Sequence, residues 1–376
     1  MKTGVGNKVL FVATVDSHIE LFHLPYLKMF KDKGYKVHVA TESKKKIKYC
    51  DKKHQISIAR SPFKLRNLIA IRQLKKIVEK EHFDIIHCHT PMGGVVTRLA
   101  ARKSRKRGTR VIYTAHGFHF YKGAPLKNWL LFYPVEKHLA RYTDTIITIN
   151  DEDYKLAKQK FKKRCHDIEY VPGVGIDEKK FEKRLIKKQK QRIRKSLKLK
   201  DDDFVMIYAA ELSRRKNQMW LIKTVAPVLN QKPNFHLILA GADSMNGKCQ
   251  KLVKDLGLKK QIHVLGFRED IADLIRISDV ALSSSKQEGL PSSLIESACA
   301  GLPIIATDCR GNRDVVKKSR GFLIPQGDVK DFQNTIADAE NNADLAPREK
   351  LAESIRKKIS ISEVKKIMAI NYFRTE

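Results

Sequence analysis

The stretch Glu288-Gly289-Leu290-Pro291-Ser292-Ser293-Leu294-Ile295-Glu296 decides how this chain is read. It follows the apolar run Val280-Ala281-Leu282-Ser283-Ser284-Ser285, which reads as a strand. Pro291 suits the opening of a helix, because the N–H it lacks would be unpaired there. The helix then runs through Ser297-Ala298-Cys299-Ala300 and stops at Gly301, a residue type that favours the position just past a helix end. This order places Glu288 on a loop at the carboxyl edge of a sheet, facing the helix N-terminus. Glu296 falls on the second helical turn. In an open α/β sheet, ligands bind at this edge. The backbone N–H groups of Gly289 and Leu290 would point toward any anion held there. Acidic residues in a first helical turn also have an ordinary explanation in the helix dipole. The rest of the chain must choose between the two.

Short β-branched runs alternate with amphipathic segments throughout. Expected strands in the first half are Val9–Thr14, Val37–Thr41, Ile85–His89, Val111–His116, Thr145–Asn150 and Ile168–Val171. In the second half they are Phe204–Leu212, Phe235–Gly241, Ile262–Phe267, Val280–Ser285, Ile304–Asp308 and Phe322–Pro325. Between them lie helical patterns such as Asn67–Lys80, where Leu68, Ile71, Leu74 and Val78 recur at helical spacing. Strand–helix alternation implies parallel sheets with right-handed crossovers. The turn-rich seam Val171-Pro172-Gly173-Val174-Gly175-Ile176-Asp177 divides the two halves. A strongly basic helix is expected after it, over Glu178–Leu197. The segment Ser362–Tyr372 is amphipathic, with Val364, Ile367, Met368 and Tyr372 in helical register. The boundaries are residues 1–172 for the first domain, 173–177 for the linker, 178–361 for the second domain and 362–376 for the final helix.

Composition narrows the function. The chain has 376 residues, 42% of them hydrophobic, which suits two domains with real cores. Its six cysteines are scattered with no C-x-x-C pair, against a disulfide frame or structural zinc and for a reducing compartment. The first apolar run ends at Asp16, too soon for a signal peptide, and nothing approaches the length of a spanning helix. A net charge of +34 points to an anionic partner. Basic runs such as 102–107 carry no nucleic-acid-binding motif, so an anionic membrane surface is the sharper expectation and nucleic acid is not expected as a partner. The run Trp129-Leu130-Leu131-Phe132-Tyr133 could dip into such an interface or belong to the core.

Glu288 and Glu296 together resemble the E-x7-E motif of retaining glycosyltransferases of family 4, and the segment Thr14–Tyr26 after the first strand resembles the version found in capsule and exopolysaccharide members. Further segments in both halves resemble the same family, one of them the seam 171–177. Tyr208 to Gln218 resembles the segment whose Arg and Lys clamp the donor diphosphate. Lys216 matches the Lys, but Glu211 stands where the Arg is expected and Asn217 replaces a Gly. Arg215 or Arg214 would then supply the missing charge. Val264-Leu265-Gly266-Phe267-Arg268 matches the loop that takes the nucleotide base, although Phe267 could equally be core. In the first half, Asp84–Pro91 and Tyr113–Phe120 match strands that end in the family's cleft. There His116, followed by Gly117, matches the residue that meets the donor sugar.

The resemblance implies the GT-B fold: an α/β architecture of two doubly wound, Rossmann-like parallel-sheet domains facing across a cleft, with a C-terminal helix crossing back. Glu288, His116 and Lys216 take the catalytic roles. Arg215, Lys216, Gly266, Phe267, Arg268, Glu288, Gly289, Leu290 and Glu296 bind the donor. Asp16, His18 and His119 lie on the acceptor side, and a turn with a helix cap is the commoner role for an Asp placed like Asp16. The glycine-rich loop that many members carry after the first strand is missing here. No metal and no cofactor is expected. His87 and His89 share a strand face, yet no third ligand has a convincing place. The acidic runs Asp151-Glu152-Asp153 and Asp201-Asp202-Asp203 read as helix-start and loop features. The implied reaction moves a sugar from a nucleotide sugar donor, a UDP-sugar, to a polyprenyl-diphosphate-linked saccharide acceptor. The place would be cytoplasmic, at the inner face of the cell membrane. A nucleotide-sugar 2-epimerase of the same fold, needing no acceptor, is the alternative, and a basic nucleic-acid binder ranks below it.

Overall fold

The computed structural model describes residues 7–182, 185–319, 321–341 and 349–373. It divides into two compact units. One runs to Val174 and takes back the chain from Val364; the other spans Gly175–Glu363.

The first unit is built on seven parallel strands: β1 (Lys8–Val12), β2 (Lys36–Thr41), β3 (Lys52–Gln55), β4 (Ile85–His89), β5 (Arg110–Ala115), β6 (Thr145–Thr148) and β7 (Asp167–Tyr170). Their order is β3-β2-β1-β4-β5-β6-β7. Helices cover both faces, so the inner strands are buried on both sides and read as near-continuous apolar runs. Strand β3, Lys-Lys-His-Gln, carries none of that signal because it closes an edge and faces water. Its pairing with β2 makes it a strand, which is why periodicity alone missed it.

The second unit has six parallel strands: β8 (Phe204–Ala209), β9 (Phe235–Ala240), β10 (Ile262–Gly266), β11 (Val280–Ser283), β12 (Ile304–Thr307) and β13 (Phe322–Ile324). Their order is β10-β9-β8-β11-β12-β13. The two sheets thus share one plan. Each begins in the middle, adds strands to one side, then returns to the middle and builds outward on the other.

Three local expectations need correction. The basic segment after the seam is two helices, Lys179–Glu182 and Lys187–Ser196. Ile186, before the second, is extended, and residues 183 and 184 lie outside the described residues. A run of like charges offers a continuous helix little internal support. Pro291 is not the first helical residue; it sits one position earlier in extended backbone, and the helix is Ser292–Cys299. Asp16 opens the helix Asp16–Phe22 without capping it. It lies buried, accepting from Thr41 and Ser43 and paired to Lys53 Nζ at 2.9 Å. Burial alone would raise its pKa; the hydrogen bonds of Ser43, Thr41 and Lys53 outweigh that and hold it below the usual range.

The final helix, Ile361–Phe373, buries Val364, Met368 and Tyr372 against β1 and its neighbours in the first unit. The Tyr372 hydroxyl meets His87 Nδ1 at 2.6 Å. On the opposite face, Arg98 is fully buried on the helix Pro91–Arg105. It spans both oxygens of Glu136 at 2.8 and 3.0 Å and lies 4.0 Å from the Tyr113 ring centroid. That helix approaches the ring closely because residue 94 is glycine. A methyl group there would come within 2.5 Å of the Tyr113 ring. Gly94→Ala should therefore destabilise the chain by about 1–3 kcal/mol despite alanine's better helix propensity. Urea unfolding measures this, and an unchanged midpoint would disprove the tight contact.

Candidate active site

In each sheet the strand order reverses between two central strands: β1 and β4 in the first unit, β8 and β11 in the second. The loops leaving such a pair turn away from each other, and a crevice opens at their carboxyl ends. Both groups of chemistry-bearing side chains lie there.

In the second unit, the loop after β8 carries Arg215 and Lys216, and the loop after β11 carries Glu288. Lys216 Nζ lies 2.5 Å from Glu288 Oε1, and Arg215 Nη1 lies 3.2 Å from Oε2. Ser285 donates to Oε1 at 2.6 Å, and Tyr208 OH meets Ser285 Oγ at 2.7 Å. Backbone bonds brace the same loops. Tyr208 and Ser284 donate to the Lys216 carbonyl at 3.1 and 2.9 Å, and Arg310 Nε donates to the Glu288 carbonyl at 3.1 Å. Gly311, at φ +80°, lets the turn after β12 press on this loop; a Cβ there would stand 2.6 Å from the Gly289 carbonyl oxygen. Glu288 is 5% exposed, so its charge depends on these partners.

The geometry separates the two candidate arginines. Arg215 reaches Glu288 and also donates to the Gln287 carbonyl at 3.0 Å. Arg214 is exposed and makes no hydrogen bond or ion pair among the described residues. Glu211, in the expected Arg position, points elsewhere and accepts from Ser244. Gly266 ends β10 at φ +68°. Phe267 after it is 72% exposed, so it is not a core residue. Arg268 is paired with Asp270 at 2.5 Å. The side chain of Glu296, on the second turn of Ser292–Cys299, makes no hydrogen bond or ion pair among the described residues. Burial pushes its carboxyl up to about 6, with Lys180 pulling weakly the other way.

In the first unit, five imidazoles crowd the crevice. His18 Nε2 is 3.2 Å from His116 Nε2, and His116 Nε2 is 3.5 Å from His89 Nδ1. His23 stacks on His89 with ring centroids 3.7 Å apart. The expected strand-face pair divides its work. His87 is satisfied by Tyr372 and by Thr114 Oγ1 at 2.8 Å, whereas His89 turns to the other three rings. Four rings converge: one nitrogen from each of His18, His23, His89 and His116 lies within 4.8 Å of the others. Both nitrogens of His23 and Nε2 of His89 are buried without hydrogen-bond partners. An all-imidazole set is of the kind that suits zinc or copper. Burial holds all five rings below the ordinary range, His18 at about 4 and His87 at about 3, so they are neutral near pH 7. His119 lies apart from this cluster, its ring 4.6 Å from Phe132.

The acidic runs have structural work. Asp153 accepts from the Asn150 side chain and the Phe118 N–H, and Asp203 accepts from the Lys200 N–H and pairs with His236. Sequence reading missed Ser285, Tyr208, Arg310 and His23. Ser285, three residues before Glu288 at a strand end, had a local signal. The others act through contacts distant in sequence.

Residues 189–358 match the glycosyl transferases group 1 family, and residues 8–150 match the glycosyl transferase 4-like family. EpsD of Bacillus subtilis (strain 168), a glycosyltransferase by name, is 44% identical over 352 residues, covering 93% of this chain and 91% of that protein. The chain belongs to glycosyltransferase family 4. The UDP-Gal:alpha-D-GlcNAc-diphosphoundecaprenol alpha-1,3-galactosyltransferase of Escherichia coli is 29% identical, covering 73% of this chain and 72% of its own. The capsular polysaccharide biosynthesis glycosyltransferase CapM of Staphylococcus aureus is 23% identical over 94% of this chain and 92% of its own. Among solved structures, HepE of Anabaena in complex with UDP-glucose superposes with a TM-score of 0.78. It is 20% identical and covers 98% of this chain and 100% of its own, a likeness of fold. The family 4 chain thus has the GT-B fold expected of it, and it is a glycosyltransferase.

Lys216→Met leaves Glu288 buried with only Arg215 to balance it, and should cost about 3 kcal/mol in urea unfolding. Adding Glu288→Gln should return at least half of that; a double variant as unstable as the single would show that the pair is not coupled. Glu296 behaves differently. Its folded-state pKa of about 6 lies above the ordinary 4.5. The stability of its protonated form is fully present below pH 4.5 and is lost as pH rises through about 6. Glu296→Gln should match the parent chain near the low end of that window and exceed it by on the order of 2 kcal/mol well above it. A stability difference independent of pH would contradict this.

Proposed function

We propose that this glycosyltransferase moves a sugar from a UDP-sugar to a hydroxyl of a polyprenyl-diphosphate-linked saccharide, with retention at the anomeric carbon, in the assembly of a surface polysaccharide. The observation that carries the reading is Glu288 held by Lys216 and Arg215 at the switch point of the second sheet. The relatives support the finer terms: one is named for a UDP-sugar and a diphosphoundecaprenol acceptor, another for capsular polysaccharide.

The leaving group of such a reaction is a diphosphate, whose oxygens gain charge in the transition state. Lys216 and Arg215 are positioned to receive that charge, and the N–H groups of Gly289 and Leu290 add partial positive charge. As the diphosphate draws the two cations, Glu288 is released to hold the sugar hydroxyls. Glu296 takes the ribose, and Gly266, Phe267 and Arg268 take the base. The neutral imidazoles of His18 and His116 accept hydrogen bonds from hydroxyl groups without adding charge. The leaving phosphate receives the acceptor proton, so Glu288 need not act as a nucleophile. No helix among the described residues is long and apolar enough to cross a membrane. The basic surface would hold the chain against the inner leaflet by reversible electrostatic attraction.

Glu288→Gln should reduce transfer by on the order of 10²–10³ while the fold persists. The assay is sugar transfer into lipid extract from UDP- and GDP-sugars, with UDP-induced thermal stabilisation as the check on folding and donor binding. Full activity in the variant would overturn the assignment of Glu288. Epimer formation from donor alone would replace the transferase reading with the epimerase.

A further inference from the structure

The first unit holds an apolar cavity of about 470 Å³ beside the histidine cluster. Its walls include Phe63, Met92, Phe118, Phe120, Leu131 and Val135. The loop Gly117–His119, which lines it, directly follows His116. Glu136 also lines it, but both of its carboxylate oxygens are held by the buried Arg98, so that wall presents a neutral pair. The volume falls in the range of small-molecule sites.

The rim of this cavity is unusual for a surface in water. The segments 60–72 and 121–135 flank it, and both expose apolar side chains. Phe63 is 81% exposed, Leu65 79%, Leu126 73% and Leu130 68%, with Leu68, Ile69, Leu131 and Val135 also exposed. These are eight of the fourteen large hydrophobic side chains exposed among the described residues. Leu126 and Leu130, like Leu131 and Val135, are four apart on one helix and so form stripes along it. The same two segments carry Arg60, Lys64, Arg66, Arg72, Lys122 and Lys127, all exposed, and no acidic residue. Contiguous exposed apolar surface marks an interaction site. Its charge selects among partners. A second copy of this chain would bring the same cations against these. An apolar chain ending in an anionic head satisfies both halves of the surface.

We propose that this cavity takes the isoprenoid chain of the diphosphate-linked acceptor, with Arg60, which lines it, on the diphosphate side. The inference rests on the acceptor class put forward above. The loop Gly117–His119 then leads from the chain to His116, where the saccharide would begin.

Geranyl diphosphate and inorganic diphosphate serve as probes, titrated calorimetrically into the full chain. Geranyl diphosphate should bind at least tenfold more tightly. Leu131→Asn/Val135→Asn, two exposed positions, should lose that preference, whereas Leu256→Asn, an exposed leucine in the other unit, should keep it. UDP-induced thermal stabilisation should be unchanged in both variants. Equal affinity for the two probes, or a preference that survives in the double variant, would overturn the proposal. So would complete displacement of geranyl diphosphate by phosphatidylglycerol vesicles, which would assign the cavity to bilayer acyl chains. A change from dimer to monomer on substitution would do the same in favour of a second copy. Failure of the geranyl preference with the UDP response intact removes this site alone. Absence of a UDP response in the parent chain removes the donor reading and leaves the cavity result standing.

Discussion

The constraint on which the rest of this molecule depends is the reversal of strand order at the centre of each parallel sheet. Because the strands of each sheet run parallel, every loop that follows a strand lies at the same edge. Where the order reverses, neighbouring loops leave in opposite directions and backbone does not fill the space between them. The β8/β11 pair and the β1/β4 pair create that opening twice. Side chains from residues far apart in sequence, such as Lys216 and Glu288, or His18 and His116, meet there because this strand order brings their loops to one place.

The two openings are chemically opposite. The second-unit site is charged: a carboxylate 5% exposed, balanced by two cations and two hydroxyl-bearing side chains in series. A buried charge is tolerable only with such partners. A site that keeps its cations this way is prepared for an anionic group. The first-unit site is dense in titratable groups yet neutral, because burial depresses the pKa of each imidazole and the neighbouring rings add to the effect. Beside it, the Arg98–Glu136 pair removes charge from the wall of an otherwise apolar cavity. One opening is charged and the other is neutral.

The legible parts of the fold were those whose signal is local. The inner strands are apolar runs because both faces are covered, and the helices between them keep their period. Strand β3 escaped because an edge strand of Lys-Lys-His-Gln has no reason to be apolar. The basic segment after the seam was read as one helix, since composition does not report where like charges interrupt it. In the site, Glu288, Glu296 and Lys216 were visible as a spacing and a motif. Arg214 and Arg215 were indistinguishable until the loop geometry aimed one of them at Glu288. Asp16 looked like a helix cap but is tied to Thr41, Ser43 and Lys53, contacts set by the pairing of β2 with β3.

By itself, the sequence determined the class of the fold and the family. Each is written in residues close together along the chain, through periodicity, turn chemistry and spacing. Only the tertiary structure decided which arginine joins Lys216, that His89 belongs with His18, His23 and His116 while His87 belongs to Tyr372, and that Phe63 and Val135 share one cavity wall. Those facts depend on crossovers that bring distant segments to one sheet edge, and on desolvation, which no residue carries until its neighbours are in place.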